Sequence, residues 1–146
     1  MSLVIVGPPE RPAGRLDLAG LRRRGAVLLR GLGRSREELV LSLVGDHEIR
    51  VLNAEHRGKR RATDVLSFSL LEGEHGEHRG RLLGDVVISV DTAARQARQR
   101  RRSLDERVTK LLIHGLLHVV GHDHERDDAA RAMHSEEQRL WRLVRP

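Results

Sequence analysis

A chain of 146 residues, 38% hydrophobic and 33% charged, is sized for one core and is too apolar to be a disordered tail. Lys plus Arg total 27 against 21 Asp plus Glu, and the formal charge of +6 favours a polyanionic partner. With no cysteine, disulfides, thiolate zinc fingers, iron–sulfur clusters and thiol nucleophiles are excluded, so any metal must be held by His, Asp or Glu.

Leu3–Val6 reads as a short buried strand closed by Gly7-Pro8-Pro9, far too short for a signal peptide. No later run reaches the roughly 20 apolar residues of a membrane span, and a cytoplasmic protein is expected. Leu18, Leu21, Val27, Leu28 and Leu32 recur near helical spacing, with Gly31 and Gly33 as stops. Glu38 to Val44 alternates as a strand, after which Asp46 is placed to cap a short helix ending near Gly58. Val65 to Leu71 and Leu82 to Val90 read as two more strands, joined by a polar, glycine-broken hairpin loop expected to be mobile.

The remainder reads as helical. Asp91 can cap a helix from Thr92 to Arg102, and Ser103-Leu-Asp-Glu106 has the form of a capping box opening the next. That helix is apolar at Val108, Leu111, Leu112, Leu116, Leu117 and Val120, and Gly121 is placed to end it; a last helix spans Asp127 to Val144. With Phe68 and Trp141 as the only Phe and Trp and no Tyr, the core must be built from Leu, Val, Ile and Ala. The expected fold is α+β, one domain over residues 1–146, with a small mixed sheet packed against about five helices.

His114-Gly-Leu-Leu-His-Val-Val-Gly-His-Asp-His124 holds four of the nine histidines. His114 and His118, four residues apart, share a helix face with Cβ atoms about 6 Å apart, so both imidazoles can converge on one ion. Gly121 can adopt the positive φ that turns the chain back, which makes His124 a candidate third ligand. Three imidazoles and a fourth position open to water form a catalytic arrangement, because structural zinc sites are usually closed. The spacing H-x-x-x-H-x-x-G-x-x-H is shared with a class of zinc proteases, but their general-base glutamate is replaced here by Gly115. Peptide hydrolysis therefore lacks its proton acceptor. Asp123 is read either as an acceptor orienting a ligand or as a turn cap. His122 and His134 match no ligand spacing, and His47, His56, His75 and His78 sit in polar, solvated surroundings.

Arg57, Lys59, Arg60 and Arg61 crowd the loop around Gly58, and such a loop can bind phosphates or simply be solvated. Thr63-Asp64 reads as a turn cap, and Asp85 falls near the start of a buried strand. Arg95, Arg98, Arg100, Arg101 and Arg102 form a further basic patch, fitting a charge-lined groove for RNA better than a stacking platform.

Four blocks together resemble the YbeY family of bacterial single-strand-specific endoribonucleases, also described as rRNA maturation factors. They are H-G-x-L-H-x-x-G-H-D-H at His114–His124, L-N-x-x-x-R-G at Leu52–Gly58, T-D-V-L-S-F at Thr63–Phe68 and L-G-D-V-V-I-S at Leu83–Ser89. Ala62 stands where a proline is common in that family, and His56 where an aromatic is common. The resemblance implies one zinc ion held by His114, His118 and His124, although three imidazoles also suit other divalent transition metals. It implies that Arg57 faces the metal and contacts substrate phosphate, so Arg57 and His114 are the expected catalytic residues. It also implies single-stranded RNA as substrate, action in 16S rRNA 3′-end processing and ribosome quality control, and small-subunit ribosomal proteins and an assembly GTPase as partners. The rival expectation is a non-catalytic ribosome-assembly factor whose metal site is structural.

Overall fold

Four apolar runs pair into one mixed sheet in the computed structural model, which describes residues 3–9, 15–57, 63–71 and 80–145. The chain order is β1 (Leu3–Val6), α1 (Leu18–Gly31), β2 (Glu38–Val44), α2 (Asp46–Arg57), β3 (Val65–Ser69), β4 (Leu82–Ser89), α3 (Val90–Arg100), α4 (Leu104–Val119) and α5 (Asp127–Val144). β1 lies parallel to β2 and β2 parallel to β4, while β3 runs antiparallel along the other side of β4. The arrangement is the expected α+β one.

β4 is interior to the sheet, and Leu83, Val86, Val87 and Ile88 are all buried, as a strand covered on both faces requires. Side chains alternate between the faces. Leu39, Leu41, Leu43, Val86 and Ile88 join Leu21 and Leu28 of α1, Leu112 and Leu116 of α4, and Leu140 of α5 in the main core. Val87 turns the other way, into a smaller cluster with Val44, Ile49 and Leu66. No helix among the described residues is long and apolar enough to cross a membrane.

The helix starts after β2 and β4 differ from the expected capping. α3 begins at Val90 because Ser89 Oγ, not Asp91, accepts from Thr92 N at 3.2 Å. Asp91 instead accepts from Asp46 N at 2.9 Å and so serves the start of α2. Asp46 is the first residue of that helix, and its carboxylate accepts from Ser89 Oγ at 2.7 Å and Thr92 Oγ1 at 2.6 Å and pairs with Arg95 at 2.8 Å. Sheet register is the reason. Val44 and Ser89 are partners at the ends of parallel strands, so two helix N-termini leave side by side and each aspartate reaches the other helix.

Burial alone would raise the Asp46 carboxyl, but hydrogen bonds from Thr92, Ser89 and Arg95 outweigh it and hold the pKa below its ordinary value. A depressed carboxyl contributes stability above its unfolded pKa, and that contribution is lost as pH falls through the folded one. Asp46→Asn is therefore expected to cost about 1–3 kcal/mol at neutral pH, with the difference shrinking below the carboxylate range. Urea unfolding at both pH values checks this, and an equal loss at each would refute the linkage.

β3 stops at Ser69, two residues short of the expected Leu71. Leu70 N still donates to Leu83 O at 2.9 Å, but Ser69 Oγ donates to Val119 O at 2.7 Å and accepts from Leu71 N at 3.1 Å, so Leu71 N turns to that side chain instead of the ladder. The turn that the Thr63-Asp64 cap would serve lies outside the described residues, and Asp64 has long-range partners. Its Oδ2 accepts from Gln96 Nε2 at 3.3 Å and lies 3.6 Å from Arg107, tying β3 to α3 and α4. The arms of the expected hairpin are the antiparallel β3 and β4, and its loop at 72–79 lies outside the described residues.

Candidate metal centre

α4 starts where the S-x-x-E sequence predicts, with Ser103 Oγ accepting from Glu106 N at 3.1 Å. Leu111, Leu112, Ile113, Leu116 and Leu117 are buried around it, leaving His114 and His118 half-exposed one turn apart. Gly115 lies directly on the sheet. A Cβ there would stand 2.7 Å from Val86 Cγ1 and 3.2 Å from Val65 Cγ2. The protease glutamate is thus missing from a position that points into the core rather than towards the histidines.

The end of α4 is a Schellman turn: His122 N donates to Leu117 O at 2.9 Å and Gly121 N to His118 O at 3.1 Å, with Gly121 at φ +106°. The left-handed glycine reverses the chain and returns His124, on an exposed turn, to the two helical imidazoles. The Nε2 atoms of His114 and His118 are 3.2 Å apart. One donor atom from each of the three histidines lies within 4.8 Å of the others. Tetrahedral zinc with bonds of 2.0–2.1 Å spaces its nitrogens about 3.3–3.4 Å apart, so the helical pair already has the required separation. No fourth His, Asp or Glu joins the group among the described residues. The donor set fits a metal held by three imidazoles with one side open to solvent, and the three residues singled out by spacing are the three brought together.

Glu137 of α5 escaped sequence reasoning. Its Oε2 lies 3.3 Å from His114 Nδ1, on the opposite side of the ring from the cluster. The carboxylate favours the tautomer with the proton on Nδ1 and leaves the Nε2 lone pair facing His118. A signal was present. Met133 and Leu140 of α5 are buried, and Glu137 sits between them on the same apolar stripe, where a carboxylate needs a partner. Asp123 takes the turn-cap role, its Oδ1 accepting from Glu125 N at 3.2 Å.

Arg57 is the last residue of α2, and the basic loop at 58–62 lies outside the described residues, as does any placement of the Arg57 side chain. His56 is exposed but not merely solvated: its ring packs edge-on against Phe68, 4.9 Å between centroids, so an imidazole fills the expected aromatic position. Asp85 is half-buried, and burial raises its pKa. Arg95, Arg98, Arg100, Arg101 and Arg102 are all exposed, as the expected basic patch requires, with Arg95 drawn to Asp46 and Arg102 3.5 Å from Glu106.

A family model described as Endoribonuclease YbeY matches residues 28–144. An Endoribonuclease YbeY of Anaeromyxobacter sp. (strain Fw109-5) is 53% identical over 133 residues, covering 91% of this chain and 68% of that protein. Another, from Syntrophus aciditrophicus, is 38% identical over 146 residues, covering 99% of this chain and 91% of its own length. A solution structure of a Thermotoga maritima protein superposes with a TM-score of 0.67 at 22% identity, covering 97% of this chain and 88% of that one, and shows the same fold.

Proposed function

This chain belongs to the YbeY family, and from that premise we propose that it is a metal-dependent endoribonuclease that cuts single-stranded RNA during rRNA maturation. The observation that carries the reading is the convergence of His114, His118 and His124 at the open end of α4. These three side chains would hold a divalent ion such as zinc, which would supply Lewis-acid polarisation of a phosphoryl oxygen and lower the pKa of water towards neutrality. The protein's own part is to fix the imidazoles. α4 spaces His114 and His118, the Gly121 turn returns His124, and Glu137 holds the Nδ1 proton of His114. Arg57, at the end of α2, is assigned to the substrate phosphate, where a guanidinium stabilises charge developing in the transition state. The cytoplasm, small-subunit ribosomal proteins and an assembly GTPase belong to the same proposal, with the 16S rRNA 3′ end as target.

The test is incubation of the purified protein with a 3′-extended 16S rRNA fragment, single-stranded or annealed to a complementary strand, with and without a chelator. Cutting confined to the single strand and abolished by the chelator is the expected result; intact RNA in every lane would overturn the reading.

Glu137→Gln retains shape but removes the charge opposite His114 Nδ1. The expected effect is a loss of about 10–100-fold in zinc affinity with little change in thermal stability. Competition against a fluorescent chelator measures it, and unchanged affinity would remove Glu137 from the site.

A further inference from the structure

Beside the histidine cluster, α4 and α5 run antiparallel and, with Asp64 and Val65, line an open-sided cavity of about 470 Å³, the size of a small-ligand site. Arg107, Lys110 and His114 line it from α4 at helical spacing, and His134, Glu137 and Trp141 line it from α5 in the same rhythm. His114 belongs to both the cavity and the cluster, so the two adjoin across its ring. The charges inside are unequally committed. Arg107 donates to Gln96 Oε1 at 2.7 Å and lies 3.6 Å from Asp64, while Glu137 contacts His114. Lys110 is held loosely, 4.0 Å from Glu106, with its ammonium 4.8 Å from the centroid of the Trp141 ring. The Lys110 ammonium lies over the Trp141 ring, one turn of helix (about 6 Å) from His114, and turned onto a phosphate it uncovers the indole face for a base one step along an extended strand.

We propose that this cavity receives the nucleotide next to the scissile phosphate, its base against Trp141 and its phosphate at Lys110. The inference rests on the reading of the histidine cluster as the cleavage centre. It adds a stacking contact that the near-absence of aromatics in the sequence argued against, because a single tryptophan in a cavity suffices for a single base.

Trp141 is the only tryptophan and the chain has no tyrosine, so intrinsic fluorescence comes from this one side chain, which borders the cavity. The experiment titrates the metal-loaded protein with a short single-stranded 2′-O-methyl RNA, following Trp141 emission and, in parallel, the anisotropy of the labelled oligonucleotide. Quenching that saturates together with the anisotropy is the expected result. Lys110→Ala, at a solvent-facing position, is expected to weaken binding roughly 3- to 10-fold at low salt, to lower the salt slope by about 0.7, and to raise KM more than it lowers kcat. Binding without any change in Trp141 emission, or with full affinity in Lys110→Ala, overturns the cavity assignment while rRNA cleavage by the wild type stands. Failure of the nuclease reading shows differently, as wild-type protein that leaves the rRNA fragment intact.

Discussion

His114→Ala is expected to abolish rRNA cleavage while leaving the chain folded. The loss in rate should be at least about 10²–10³-fold, the range for removing one principal stabiliser of developing charge. Wild type treated with a chelator should fall to the same level. The fold should survive because the main core is assembled without the cluster: Leu112, Leu116 and Leu117 pack against the sheet and the neighbouring helices, whereas His114 and His118 are half-exposed and His124 is exposed. Alanine also favours the helix over histidine. The rival reading, an assembly factor with a structural metal, predicts the reverse pattern, in which losing a ligand unfolds the domain. Circular dichroism and urea unfolding beside the cleavage assay separate the two. A folded, inactive variant supports the catalytic site; an unfolded one, or a folded one that cuts at the wild-type rate, removes it.

What could be read from the sequence follows contact range. The strand and helix patterns, the Ser103 cap and the Gly121 turn all depend on residues within a few positions of one another; the cap and the turn lie where the sequence places them, and the elements match apart from shifted ends such as those of β3 and α3. The histidine cluster was legible for the same reason, since His114 and His118 are one turn apart and His124 follows a single reversal. Asp91 was misread because local sequence offers it a nearby backbone to cap, while its actual partner is Asp46 N; that contact, like those of Asp64 with Gln96 and Arg107, is brought about by strand register and helix packing. Glu137 is the sharpest case. Twenty-three residues separate it from His114, and only the antiparallel docking of α5 on α4 makes them neighbours. Nothing in a helical repeat encodes that pairing.

The second large effect concerns the residue that distinguishes this histidine motif from that of the zinc proteases. Gly115→Glu restores their sequence but is expected to destabilise the fold by about 3–5 kcal/mol rather than confer peptide hydrolysis. Even a methyl group at this position meets Val86 Cγ1 at 2.7 Å, and Val86 is fully buried in the strand interior to the sheet. Its β-branched side chain has little rotamer freedom to yield, so helix and sheet must separate or the carboxylate must enter an apolar core unpaired. A loss of that size is a large fraction of the 5–15 kcal/mol typical of a domain. Gly115→Ala separates the two terms. Alanine gains about 1 kcal/mol in helix propensity over glycine, yet the contact with Val86 should make the net change destabilising by about 1–2 kcal/mol. Urea unfolding of both variants, with casein as a protease substrate, decides the matter. If Gly115→Glu were as stable as wild type and cut casein in a metal-dependent way, position 115 would have to face the histidines, and the packing of α4 on β4 described above would be wrong.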